Sequence, residues 1–225
     1  MRLNRAGVGA GVIYLVLGSA WAVATGVPWW GMAWLVAVAV IGAFLPGEAN
    51  QVSLARAYLA APALTYALRG EFAGLAVTVA IASVTDLVDG TIARRFARTS
   101  SFGGGLDPVV DGIFTGAVAI GLGLGGTFPL WLAIVVIARY LLPALAGGIL
   151  IVTGRRPELR HTLTGQVSTV LILILLGGVC LFRALKQDST GLVNAAEVVI
   201  PLATAATYVH LGFALRRPAT VVEAG

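Results

Sequence analysis

The chain has 225 residues; 58% are hydrophobic types, 11% are charged, the mean hydropathy is +0.93 and the net charge is +5. A soluble domain carries about 25% charged residues, so this composition cannot clothe a water-facing surface and excludes a soluble enzyme. Twenty-nine glycines without a G-X-Y period exclude collagen, and a single cysteine, Cys180, excludes a disulfide framework and a cysteine zinc site. What remains is an all-α protein, a polytopic membrane helical bundle.

Apolar runs at 6–26, 29–46, 54–69, 72–93, 107–124, 129–152, 163–182 and 192–215 predict eight helices. The first follows Arg2 and Arg5 and contains Ala20-Trp21-Ala22, as a signal peptide could; an uncleaved first helix is expected. The third is short and is expected to start from an interfacial segment near Glu48. Arg2, Arg5, Arg56, Arg94, Arg95, Arg98, Arg155, Arg156, Arg160, Arg216 and Arg217 fall on one side of the predicted bundle. Arg69, Arg183 and Lys186 fall on the other, and Arg139 lies within the sixth helix. Basic clusters at the ends of apolar runs read as membrane topology rather than nucleic-acid binding. They predict cytoplasmic termini in a plasma (inner) membrane. Gly7/Gly11 and Gly112/Gly116 are four-apart pairs suited to close helix packing.

The chemistry concentrates between Asp86 and Asp111: DLVDGTIARRFARTSSFGGGLDPVVD. Asp86 and Asp89 share a helix face, as do Asp107 and Asp111. The first pair closes one predicted helix and the second opens the next, so a helical hairpin is expected to bring four carboxylates to the cytoplasmic membrane edge. Carboxylates at close range repel unless protons or cations neutralise them. All-oxygen ligands suit Mg²⁺, Mn²⁺ or Ca²⁺, and two such ions make a phosphoryl-transfer site.

This segment reads D-x2-D-G-x2-A-R-x8-G-x3-D-x3-D, through Asp86, Asp89, Gly90, Ala93, Arg94, Gly103, Asp107 and Asp111. It resembles the signature of the CDP-alcohol phosphotransferase (CDP-alcohol phosphatidyltransferase) family. Asn50-Gln51-Val52-Ser53-Leu54-Ala55-Arg56, then Pro62, is similar to the family's Asn-x-x-Thr-x-x-Arg lead, with Ser53 for Thr. The resemblance implies a six-helix core over 48–215, two extra transmembrane helices in 1–47, and a cytoplasmic tail at 216–225. It implies two divalent cations, Mg²⁺ or Mn²⁺, on Asp86, Asp89, Asp107 and Asp111, with Asp111 also the general base. Gly90, Ala93, Arg94 and Gly103 would bind the CDP group, with Arg94 on the phosphates. The expected partners are CDP-diacylglycerol, an alcohol acceptor, membrane lipids and a second copy of the chain in a homodimer, and no nucleic acid.

The acceptor is read from later positions. Arg139 falls where phosphatidylglycerolphosphate synthases carry an Arg-Glu pair, with Tyr140 in place of the acid. Gly165-Gln166-Val167-Ser168-Thr169 is similar to their Gly-Lys-x-x-Thr element, with Gln166 in place of lysine. Arg139, Arg155, Arg156, Arg160, Gln166 and Thr169 are therefore the acceptor-binding candidates, and glycerol 3-phosphate is the leading acceptor. The runner-up is phosphatidylglycerol, making cardiolipin; inositol phosphate and serine are further acceptors. A different class, a cation or proton transporter, needs acids spread through membrane depth, whereas here they gather at one edge.

Overall fold

The computed structural model describes residues 4–45, 48–96, 103–152 and 163–216. They form eight helices and no strand: α1 Arg5–Thr25, α2 Trp29–Phe44, α3 Glu48–Arg69, α4 Phe72–Phe96, α5 Gly103–Leu124, α6 Leu130–Val152, α7 Leu163–Ala184 and α8 Thr190–Arg216. The expected all-α membrane bundle is found. The main difference is α3, which is one continuous helix from Glu48 rather than a short span with an interfacial lead.

Short connections alternate the helix directions. The N-termini of α1, α3, α5 and α7 therefore share one end of the bundle with the C-termini of α2, α4, α6 and α8. The opposite end is closed by local caps. Arg69, in the last turn of α3, donates to the carbonyls of Thr25 (2.7 Å) and Gly26 (2.8 Å), which end α1. Gly26 itself takes the left-handed φ of 60° that a C-terminal helix cap requires.

Among the described residues, α1, α7 and α8 each contain a stretch long and apolar enough to cross a membrane: Arg5–Thr25, Gly165–Ala184 and Thr190–His210. Exposed Val12 and Val16 on α1 and Val170 and Ile174 on α7 suit hydrocarbon rather than water. α3 is the exception to apolarity, and packing explains it. It contacts α1, α2, α4 and α5, so it is surrounded by protein rather than lipid. Asn50, Gln51, Ser53 and Arg56 are buried there. A helix inside a bundle can carry such groups because neighbouring helices satisfy them.

One core joins α3 to α8 through Ala63, Leu75, Val118, Leu132, Ile172 and Ile200. A second ties the α1–α2 hairpin to α3 and α5 through Leu35, Val38, Leu54, Tyr58 and Val110. The hairpin closes tightly because Gly7 lies against the Gly42 carbonyl, where a Cβ would collide. Polar contacts then pin it beside the first half of α3. Gln51 Nε2 donates to the carbonyls of Gly42 and Leu45 at 3.0 Å each, and Asn4 Nδ2 donates to Leu45 at 2.9 Å. These bonds satisfy the orphan carbonyls at the end of α2.

Candidate active site

The end of α4 carries Asp86, Asp89, Gly90, Ala93 and Arg94, and the start of α5 carries Gly103, Asp107 and Asp111. Alternating direction puts these stretches at the same end of the bundle. Elsewhere along their length α4 packs against α3 and α7, and α5 packs against α3 and α6. The side chains at 86–96 and 103–108 lie outside the described residues, as do Arg155, Arg156 and Arg160 entirely.

Asp111 is described, and its carboxylate has a cationic neighbour. Arg56 Nη1 donates to Asp111 Oδ1 from α3. The arginine side chain is 4% exposed and the aspartate 35%, so the pair sits at a boundary with its carboxylate side open. The local reason is register: Asn50, Ser53 and Arg56 recur every three residues, share one face of α3, and are all buried. Arg56 is a site residue that the candidate set above lacks. The signal was present, since Arg56 ends the Asn50–Arg56 stretch that is similar to the family's lead.

The residues fit a divalent ion. Asp111, the one of the four aspartates whose side chain is described, is partly open and its carboxylate oxygens are acceptors, the donor chemistry that such an ion takes.

A second polar centre lies among α6, α7 and α8. Arg139 is 6% exposed. Its Nη2 donates to the Gly165 carbonyl at 2.9 Å and to Thr169 Oγ1 at 2.8 Å, and its Nη1 donates to Thr207 Oγ1 at 3.1 Å. The guanidinium carbon lies 5.6 Å from the centroid of the Tyr140 ring. Among the described residues these partners are neutral, and Arg139 Nε, Ser168 Oγ and Thr204 Oγ1 are buried without a hydrogen bond. The structure thus brings Arg139 and Thr169 together and adds Thr207, which the sequence did not single out. Gln166 is exposed.

A family model described as CDP-alcohol phosphatidyltransferase matches residues 48–215, which run from α3 to α8. The chain belongs to this family, a family of membrane transferases. It is similar to a cardiolipin synthase (CMP-forming) of Streptomyces coelicolor, 35% identical over 107 residues, covering 45% of this chain and 50% of that protein. It is also similar to a CDP-diacylglycerol–glycerol-3-phosphate 3-phosphatidyltransferase of Bacillus subtilis, 34% identical over 94 residues, covering 42% of this chain and 48% of that protein. The chain thus spans about half the length of these curated relatives. No solved structure matches it.

Proposed function

We propose that this chain transfers a phosphatidyl group from CDP-diacylglycerol to an acceptor hydroxyl, releasing CMP, with glycerol 3-phosphate as the acceptor. The observation that carries the proposal is Asp111. It closes the D-x2-D-G-x2-A-R-x8-G-x3-D-x3-D pattern, is partly open, and is held by Arg56 at the bundle end shared by both aspartate pairs.

In this reading Asp111 accepts the proton of the acceptor hydroxyl. The freed oxygen forms a bond to the phosphorus that bears diacylglycerol, and the bond from that phosphorus to the bridging oxygen breaks. CMP leaves with the bridging oxygen. Arg56 keeps the Asp111 carboxylate aimed. Arg94 steadies the diphosphate, while Gly90, Ala93 and Gly103 let the nucleotide approach the backbone. Asp86, Asp89, Asp107 and Asp111 would hold two Mg²⁺ or Mn²⁺ ions. When bound, such ions neutralise the diphosphate and stabilise charge on the leaving group.

Arg139 holds the acceptor's phosphate in this proposal, with Thr169 and with Arg155, Arg156 and Arg160. Its neutral partners support the role, because they leave its charge uncompensated. The proposal also includes a homodimer in a plasma membrane, with the termini and the site facing the cytoplasm. The six-helix unit over 48–215 carries the chemistry, and the hairpin in 1–47 is an addition.

Phosphatidylglycerol as acceptor is the second reading. The Streptomyces relative supports it, as does the absence of a lysine at Gln166. The deciding experiment is an acceptor competition with purified chain and CDP-diacylglycerol, following CMP. Glycerol 3-phosphate is expected to support release. Release that needs phosphatidylglycerol and ignores glycerol 3-phosphate overturns the acceptor choice. Loss of transfer on chelation, restored by Mg²⁺ or Mn²⁺, is expected; transfer that persists in chelator overturns the metal assignment.

A further inference from the structure

The two hydrophobic cores divide the buried residues they take from α3 at one position. Leu54, Ala57, Tyr58 and Ala61 belong to the core built with the N-terminal hairpin, and Ala63 and Ala67 belong to the core that runs to α8. Only the partly buried Leu59 crosses over. Pro62 lies at the division, inside the helix. A proline has no N–H to give the Tyr58 carbonyl, so the ladder loses a rung there and the helix gains a joint. α5 changes partners in the same way. Val110 packs in the hairpin core, and Phe114 and Val118 pack in the other. Arg56 stands ahead of the joint on α3, and Asp111 follows Val110 on α5.

We propose that the hairpin braces the active site: Trp34 and Gln51 are positioning residues that hold the part of α3 ahead of Pro62 so that Arg56 meets Asp111. The proposal rests on the reading of Asp111 as the proton acceptor. It gives a role to α1 and α2, which lie outside the residues that the family model matches.

The first support is where the hairpin's bonds fall. Trp34 Nε1 on α2 donates to the Ala57 carbonyl at 2.7 Å, one residue beyond Arg56. Gln51 Nε2 ties the start of α3 to the Gly42 and Leu45 carbonyls at the end of α2. The Tyr14 ring on α1 stacks on Tyr58, with centroids 4.3 Å apart. All of these lie ahead of the joint.

The second is that the other half of α3 is anchored separately. Ala63 and Ala67 are fully buried in the core that runs to α8. Trp21 Nε1 donates to Tyr66 Oη at 2.8 Å, and Arg69 reaches the end of α1, so the hairpin is also attached beyond Pro62. A bend at the joint therefore has to break hairpin contacts.

The third is leverage. At about 1.5 Å per residue, Arg56 is roughly 9 Å from Pro62, so a tilt of about 10° at the joint moves it by about 1.5 Å. A misplacement of about 1 Å costs up to about 10²-fold in rate.

The experiment uses the full chain in lipid nanodiscs with CDP-diacylglycerol and, in turn, glycerol 3-phosphate and phosphatidylglycerol. The readouts are CMP release and amide hydrogen exchange. Trp34→Phe removes the indole N–H and keeps a ring; Gln51→Met removes the amide and keeps the length. Each is expected to lower kcat about tenfold with donor and acceptor KM unchanged. In an Arg56→Met background the same substitutions should cost less than about twofold more, because they act through Arg56. Exchange of the amides from 50 to 61 should quicken about tenfold, while exchange from 63 to 69 holds. Trp21→Phe is the control. It removes the same kind of bond on the far side of Pro62 and should leave kcat, and exchange ahead of the joint, unchanged.

Unchanged kcat in both Trp34→Phe and Gln51→Met overturns the proposal. So does an equal fall with and without Arg56, which a merely structural role produces. Trp34 also lines an apolar groove with Ala61 and Gly116, so a rise in donor KM alone places its effect there and overturns the proposal as well. An exchange increase spread evenly along α3 does the same. If the parent chain releases no CMP, the transferase reading fails and the exchange pattern alone decides the brace. If the parent releases CMP and the variants match it, the brace fails and the transferase reading stands.

Discussion

Among the described residues two arginines are buried, and they are satisfied in opposite ways. Arg56 on α3 pairs with the carboxylate of Asp111 on α5. Arg139 on α6 is met by a carbonyl and two hydroxyls from α7 and α8. The charge of Arg56 faces a carboxylate; that of Arg139 is met, among the described residues, by neutral groups. Burying an ion without a counterion is costly. In the proposed mechanism an anion completes the arrangement at Arg139, and Arg56 holds the proton acceptor.

The comparison is broken or sharpened by substitution. The largest effect is expected for Asp111→Asn, which keeps shape but removes charge and proton acceptor. Transfer should fall by about 10²–10⁴-fold, with helicity and elution unchanged. Near-normal turnover in the pure variant removes Asp111 from its role.

Arg56→Met should follow, with activity down about 10–100-fold as for other groups that orient a reacting side chain. Arg56→Lys should recover part of the loss, because the charge returns without the planar fork. Thermal unfolding in detergent should report a loss of about 1–2 kcal/mol, below that of a fully buried pair because the Asp111 side chain is 35% exposed. Full activity in Arg56→Met makes the ion pair merely structural.

Arg139→Met should behave differently. Replacing an uncompensated buried charge with an apolar chain is expected to leave stability within about 1 kcal/mol of the parent, or above it. The acceptor KM should rise about tenfold with kcat nearly unchanged, as for lost uniform binding. A stability loss as large as that of Arg56→Met, with acceptor KM unmoved, erases the contrast between the two arginines.

The smallest effect belongs to Asp188, at the far end of the bundle. Its Oδ1 accepts from the Thr190 hydroxyl at 2.6 Å and from the Thr190 N–H at 3.0 Å, organising the start of α8. These bonds hold its carboxyl below the ordinary value of 3.8. A depressed carboxylate pKa means that the stabilisation is present above the unfolded value and lost as pH falls through the lower, folded one. Asp188→Ala should lower the unfolding temperature slightly at neutral pH and make no difference in strong acid. The same deficit at both extremes excludes the carboxylate as the cause.

Much of this was legible in the amino-acid order. The eight helices follow from runs of apolar residues, which lipid enforces locally because every backbone group must be satisfied within its own segment. The placement of Asp86 and Asp89 on the end of α4 and of Asp107 and Asp111 on the start of α5, at one end of the bundle, follows from one chain reversal, which is short-range. The spacing of those aspartates with Gly90, Ala93, Arg94 and Gly103 also made the family legible. α3 was misjudged at its start, because Asn50, Gln51 and Ser53 look like a segment outside the membrane until the helices around them are known.

The tertiary structure decided what each face of each helix meets. In a membrane bundle, residues facing lipid and residues facing protein are both apolar, so hydropathy scarcely marks the buried side. The Arg56–Asp111 pair joins positions 55 residues apart, and no local rule connects them. The same holds for Trp34 reaching Ala57. It holds too for the three helices that converge on Arg139. The small residues at 112 and 116 were readable as sites of close approach, and only packing separates them. Gly112 lies against Tyr140, where a Cβ would be 2.8 Å from its Cβ, while a Cβ on Gly116 would meet Ile137 at an ordinary 3.8 Å. Composition and spacing determined which elements form and which helix ends carry the aspartates, because those depend on neighbours along the chain; the partner of each buried charge depends on helices meeting across the bundle.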